Sequence, residues 1–184
     1  MFSTQFKNST ILILLLSIVF AFNANSQINN WNPDLVKDSN EALAKMIEDT
    51  PKLNSFKDKA YGYAVFPKVT KAGIGIGAAA GKGVVYKNHE IVGSSKLKQV
   101  SIGLQLGGEQ YGEVIFFENQ ESFDNFTNGN LKFNAQASAV AITAGASVDV
   151  AYQDGVAVFT RTLGGLMYQA SIGGQHFKFE PIDE

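Results

Sequence analysis

The chain contains no cysteine, 4 prolines and 2 histidines, and only 17% of its 184 residues are charged. Without cysteine it has no disulfide, thiolate metal site, cysteine nucleophile or lipid-modified N-terminal cysteine. The histidines, His89 and His176, lie outside any metal-ligand spacing, and no G-x-S-x-G nucleophile motif occurs. The hydrophobic fraction of 45% and the net charge of −2 exclude intrinsic disorder. We therefore expect a folded domain with no catalytic residues, metal or cofactor.

Residues 1–26 are predicted to be a secretory signal peptide. The apolar run Ile11–Phe22 has about 12 residues, fewer than the ~20 that a membrane-spanning helix needs. Small and polar residues follow it, which indicates cleavage after Ser26. The alternative is an uncleaved membrane anchor. Both interpretations predict export of the domain. With the signal peptide cleaved, we expect a peripheral protein of the periplasm or cell envelope.

Residues 27–184 are predicted to form a single domain whose first part, 27–60, is helical. Asn32 is placed to cap a helix that begins at Pro33 and continues to Asp49 with an apolar stripe. Thr50 and Pro51 are expected to begin a second, short helix in the same way.

Residues 61–184 change to short apolar runs separated by glycine, which predicts strands. Phe123 and Phe126 recur at helical spacing before Gly129, so one short helix is expected between the strands. The predicted fold is α+β, a curved antiparallel sheet or partly closed β-barrel with N-terminal helices and one inserted helix. The predicted strands are residues 63–66, 73–80, 83–86, 90–94, 100–106, 113–117, 135–151, 156–161, 166–173 and 176–179, with hairpin turns at 87–89 and 153–155.

The most unusual segment is Ala72–Gly83, which reads AGIGIGAAAGKG. A phosphate-binding P-loop would need glycine where Ile76 stands and Ser or Thr where Gly83 stands. A dinucleotide-binding motif would need a third glycine at Ala80. Alternating glycine and isoleucine instead predict a strand with one bare face, which another element or an acyl chain can approach closely.

Several separated motifs between residues 61 and 174 resemble the SYLF domain and follow one another in its order. They read YGYAVFPKVTKAGIGIG from Tyr61, GKGVV from Gly81, LQLGG from Leu104, EVIFF from Glu113, DGVAVFT from Asp154 and GGLMYQASIGG from Gly164. This lipid-binding domain also occurs in yeast and animal proteins of actin-rich membrane sites. The resemblance implies membrane lipid binding, with phosphoinositides as ligands of eukaryotic members; their actin association is not carried over to this chain.

Charge is unevenly distributed along the chain. Residues 57–98 hold eight lysines against Asp58 and Glu90, a net of +6, whereas residues 99–184 have a net of −7. A basic face of this kind attracts anionic phospholipid, at about 1 kcal/mol per lysine near the surface. The predicted lipid-binding residues are Lys68, Lys71 and Lys82, with Gly73, Gly75 and Gly77 of the glycine-rich strand and Ile74 and Ile76 at the acyl boundary.

The same residues also bear on enzymatic, nucleic-acid-binding and protein-binding functions. Glu113, Glu118 and Glu121 are the candidate acid/base carboxylates, but their positions near a strand end and a surface helix predict solvated acids rather than an enzyme. Nucleic acid is not expected as a partner, because the chain is acidic overall and has little arginine. An envelope structural or protein-interaction domain, with an envelope protein paired to a sheet edge, stays open, as does a barrel that encloses an apolar ligand.

Overall fold

A computed structural model describes residues 32–133, 139–142, 151–165 and 173–182, with side chains left undescribed at 74, 75, 102–106 and 165. The predicted signal peptide lies outside these residues. So do most of the predicted strand 135–151 and nearly all of the predicted strand 166–173.

The first helix, α1, spans Pro33–Asp49 and confirms the prediction. Its N-cap is Asn32, whose Oδ1 accepts a hydrogen bond from the backbone N–H of Asp34 at 3.0 Å. Its apolar stripe buries Leu43 and Met46. Burial of this stripe fixes the helix on one face of the sheet, as its amphipathic pattern requires.

The second helix, α2, spans Leu53–Lys59 and begins later than predicted. The side chain of Thr50 does not cap it; its carbonyl instead accepts a hydrogen bond from Leu53 N at 3.0 Å, which closes a turn before the helix. Thr50 is itself the C-cap of α1. One residue therefore joins the two helices through its backbone, which the side-chain pattern could not indicate.

Two long strands dominate the sheet. β1 spans Gly62–Lys87 and β2 spans Glu90–Phe117, and they pair antiparallel from end to end. The predicted hairpin turn is confirmed: Asn88 and His89 have φ of 50° and 67°, as a tight turn with two left-handed residues requires. The prediction of many short strands was wrong here, because the glycines interrupt the apolar pattern without interrupting the hydrogen-bonded ladder.

The hairpin contains a register shift near its middle. Ile74 pairs with Leu106, but Ile76 pairs with Ile102, so β2 holds extra residues at this point. Gly107 beside the shift has φ of 122°, which residues other than glycine rarely adopt. We call residues 62–74 with 106–117 the lower half of the hairpin, and residues 76–87 with 90–102 the upper half.

The two halves of β1 touch each other across their glycines. A Cβ on Gly83 would lie 2.5 Å from the carbonyl oxygen of Val65 and 2.7 Å from the ring of Phe66. A Cβ on Gly81 would lie 2.9 Å from Val69. The bare strand face predicted from sequence is therefore covered, at these two positions, by the chain's own lower half.

Five described strands form one sheet in the order β1-β2-β4-β3, with β5 paired to β2. β4 spans Val156–Gly165 and pairs with the lower half of β2; β5 spans Gln175–Pro181 and pairs with the upper half. β3, Val140–Ala141, adds the parallel pairing to β4. The described strands do not close into a barrel, so the fold is α+β with a curved, mainly antiparallel, open sheet, as predicted.

Aromatic side chains fill both sides of the sheet. On one side Phe56 of α2 packs on Phe116 and Phe159, with ring centroids 5.8 and 5.1 Å apart. On the other, the predicted inserted helix, α3, spans Gln120–Thr127. Its Phe126 packs on Phe117 and Phe177, at 4.8 and 5.1 Å.

Among the helices of the described ranges, none has the length and hydrophobicity that crossing a membrane requires.

Candidate functional site

The upper half of the hairpin brings lysines from three strands into register. Lys82 of β1 lies opposite Lys96 of β2, which lies opposite Lys178 of β5. In the next row on the same face, Lys98 lies opposite His176. Alternate residues of a strand share a face, so these five side chains stand together on one side of the sheet.

Such a cluster works against the stability of the sheet, since like charges directly opposite each other repel. Glu180 of β5 relieves part of this repulsion: its Oε1 accepts hydrogen bonds from Lys96 at 2.7 Å and Lys178 at 3.1 Å. These bonds lower the pKa of the Glu180 carboxyl. Lys82 and Lys98 are exposed and form no ion pair with another described residue. The cluster thus retains a positive charge that an external anion can neutralise.

The face becomes apolar toward the register shift. Val100 of β2 pairs with Ala78 of β1 next to the lysine rows. Ile76, two residues before Ala78 on β1, is the next residue of that strand on the same face. Val100 is 65% exposed and Ile76 is 64% exposed, while Ala78 and Ala80 are also exposed. We call the whole set the basic–apolar face. It consists of Ile76, Ala78, Ala80, Lys82, Lys96, Lys98, Val100, His176 and Lys178.

The predicted lipid-binding lysines do not lie together. Lys82 belongs to the basic–apolar face, whereas Lys68 lies exposed on the lower half of β1. There it lines a cavity of about 590 Å³ beside α1, together with Met46, Arg161 and Leu163. Arg161 also forms an ion pair with Asp49 at the end of α1. Lys68 therefore borders a groove of mixed charge rather than the lysine rows.

Lys71 is buried, with 3% of its surface exposed, and lies opposite Glu109 in the ladder. Burial lowers the pKa of the Lys71 ammonium, and the charge of Glu109 partly opposes this. Burial likewise raises the pKa of Glu109, against the effects of Lys71 and a hydrogen bond with Thr162. Because Lys71 is buried beside the half-buried Glu109, direct headgroup contact by Lys71 is disfavoured.

The predicted glycine and isoleucine positions lie at or beside the register shift. Gly73 and Gly77 approach each other so closely that a Cβ on Gly73 would lie 2.5 Å from the Cα of Gly77. Ile76 is on the basic–apolar face. Ile74 and Gly75 are part of β1, but their side-chain positions lie outside what the structure describes.

Sequence reasoning counted Lys96 and Lys98 only in the charge of segment 57–98, and it missed Val100, His176 and Lys178. The two basic residues fall in the segment with net charge −7, so a count of charge along the chain led away from them. An alternation signal was present, because His176 and Lys178 occupy alternate positions of the predicted strand 176–179. The partner rows on β1 and β2 become visible only with the register.

A buried polar pair, Glu113 and Gln175, lies in the interior, apart from the basic–apolar face. Glu113 is fully buried and its Oε2 accepts a hydrogen bond from Nε2 of Gln175 at 2.9 Å. Burial raises the pKa of the Glu113 carboxyl to about 7, although the bond from Gln175 acts the other way. The sequence prediction of a solvated Glu113 was wrong, whereas Glu118 and Glu121 are exposed.

Glu113 has no ionised catalytic partner beside it in the described structure. No cluster of three or more His, Cys, Asp or Glu side chains that could hold a metal ion occurs in the described ranges. The hydrogen bond from Gln175 to Glu113 links β5 to the lower half of β2.

Comparisons with known proteins agree with the predicted resemblance to the SYLF family. Residues 98–179 match the model of the Ysc84 family, described as Las17-binding protein actin regulator. A similar curated protein is Beta cell expansion factor A of Aeromonas veronii, 28% identical over 165 residues. The match covers 84% of this chain and 62% of that protein, so the chain spans less than two thirds of its relative. The SYLF resemblance drawn from the motifs is thereby confirmed.

Proposed function

We propose that this protein binds reversibly to the surface of anionic phospholipid membranes through its basic–apolar face. The observation that carries the proposal is the pairing of the strands, which places Lys82, Lys96 and Lys178 in one row. Lys98 and His176 lie opposite each other in the next row on the same face. The match to a family described as Las17-binding protein actin regulator supports a binding role rather than a catalytic one. Lipid as the ligand is what the resemblance of the motifs to the SYLF domain implies. Export of the chain, which the predicted signal peptide implies, is part of the same proposal.

The charges set the strength of this interaction. Four lysines near an anionic bilayer contribute about 1 kcal/mol each, and Glu180 offsets part of that sum. The sum before this offset, about 4 kcal/mol, corresponds to a dissociation constant of about 1 mM, so the charges alone give weak, reversible attachment. Solvent-exposed charges are screened within about 10 Å at 0.1 M salt. Binding should therefore depend strongly on ionic strength.

We expect the purified protein to cosediment with vesicles of phosphatidylcholine and phosphatidylglycerol, but weakly with vesicles of phosphatidylcholine alone. Raising the salt concentration from about 0.05 M to about 0.5 M should shorten the screening length and release most of the bound protein. The bound fraction is measured by ultracentrifugation at several lipid concentrations. Equal recovery on both vesicle types, or none on either, would contradict the proposed function.

A further inference from the structure

We propose that the apolar end of the basic–apolar face enters the acyl region of the bilayer, which orients the upper half of the hairpin with its register shift toward the membrane. This inference rests on the proposed function and adds a second, apolar component to it. The inserted side chains are those of Ile76, Ala78 and Val100.

Exposure is the first observation. Val100 and Ile76 are about two-thirds exposed, although the chain buries other large side chains such as Phe66 and Phe116 completely. Single exposed apolar residues are common on protein surfaces and need no partner. Here, however, Val100 lies directly opposite the exposed Ala78, and Ile76 follows on the same strand. The result is a contiguous apolar surface on neighbouring strands.

The second observation is that lysines adjoin this apolar surface. Lys98 lies two residues from Val100 on β2, and Lys82 lies beyond Ala78 and Ala80 on β1. An amphipathic surface of this type suits a bilayer, in which acyl chains accept the apolar side chains while lipid phosphates meet the ammonium groups. Lysine stems can also lie along apolar surface while their charge stays at the interface. Because apolar and basic side chains are continuous on this face, we infer that its partner is an anionic bilayer.

Burial of the apolar side chains adds an attraction that salt does not screen. Replacing both Ile76 and Val100 by Ser should therefore weaken binding to anionic vesicles roughly tenfold or more. The residual binding should keep its dependence on salt, because the lysines are unchanged. Unaltered affinity of this double variant would overturn the inference.

A fluorescent probe separates insertion from surface attachment. The chain has one tryptophan, Trp31, which is replaced by Phe so that Val100→Trp reports alone. Leu163→Trp in the same background is the matched control, since Leu163 is 45% exposed and lies on the groove beside α1. With anionic vesicles carrying acyl-chain bromines, we expect a blue shift and quenching for Val100→Trp but neither for Leu163→Trp.

The possible failures are distinct. Absence of vesicle binding by the wild type rejects the proposed function itself. Wild-type binding without quenching of the Val100→Trp probe rejects insertion alone, and equal quenching of both probes rejects the proposed orientation. A blue shift that appears without vesicles and grows with protein concentration would mean that a second copy of the chain covers this surface, which also overturns the inference.

Discussion

Replacing Glu113 by Gln is expected to stabilise the protein by about 3 kcal/mol above pH 7. The pKa of this carboxyl is raised from 4.5 to about 7 by complete burial, and each pKa unit corresponds to about 1.4 kcal/mol. Between these two values the unfolded chain has released its proton while the folded protein retains it. The stability of the wild type should therefore fall as pH rises through this window and stay low above it.

The Glu113→Gln variant should lack most of this fall, because an amide can still accept the hydrogen bond from Gln175 but cannot ionise. The free energy of unfolding is measured by urea titration from below pH 4.5 to above pH 7. Glu118→Gln is the matched control, since Glu118 is exposed near the same end of β2. If the wild type and Glu113→Gln show the same pH profile, the carboxyl is not buried as described.

Gly83→Ala is expected to destabilise the protein by about 3 kcal/mol. The new methyl group would lie 2.5 Å from the carbonyl oxygen of Val65 and 2.7 Å from the ring of Phe66. Val65 and Phe66 are both fully buried, so neither can move away without disturbing the core. Overpacking of this kind commonly costs 1–3 kcal/mol, and the contact with backbone places this position at the upper end.

Gly164→Ala provides the control for this substitution. A Cβ at Gly164 meets no atom within 4 Å, so its effect should stay within about 0.5 kcal/mol. Both variants are compared with the wild type by urea unfolding at one pH. Equal midpoints for Gly83→Ala and the wild type would show that the two halves of β1 do not touch at this glycine.

The elements that sequence predicted correctly are those with local causes. Asn32 and Pro33 specify the start of α1 through capping and a fixed backbone angle, and both effects act within one helical turn. Gly129, with φ of 72°, ends α3 for a similarly local reason. Asn88 and His89 adopt the turn conformation that their own side chains tolerate. These features need no information from distant parts of the chain.

The long hairpin was not predictable in the same way. Glycines within Gly62–Lys87 resemble strand ends when only the apolar pattern is considered, yet Gly81 and Gly83 serve contacts with Val69, Val65 and Phe66, which are more than ten residues away. The reason for these glycines is tertiary packing. The sequence pattern can indicate that another part of the structure approaches the bare face of the strand, but it cannot identify which residues do so.

The candidate site shows the same limit. Lys82 was identified from its place beside the glycine-rich strand, but Lys178, which lies in the same row across Lys96, is almost 100 residues away and belongs to an acidic segment. Lys71 was predicted from the same motif as Lys68, yet its side chain is buried and lies opposite Glu109 in the ladder. The pairing register of the strands, which includes the shift near the middle of the hairpin, decides which lysines meet.

The most direct test of the central claim is charge reversal on the basic–apolar face. Lys82→Glu with Lys98→Glu changes two exposed lysines that form no described ion pair. Lys57→Glu with Lys59→Glu makes the same change of charge in the last turn of α2, on residues that do not belong to the basic–apolar face.

Vesicle cosedimentation is measured for both double variants, after circular dichroism has shown that each is folded. Each reversal removes an attraction of about 1 kcal/mol and adds a repulsion of similar size. The account predicts that Lys82→Glu with Lys98→Glu weakens binding to anionic vesicles by at least about tenfold, while the α2 variant binds much more like the wild type. Equal loss in both variants, or no loss in the first, would contradict it.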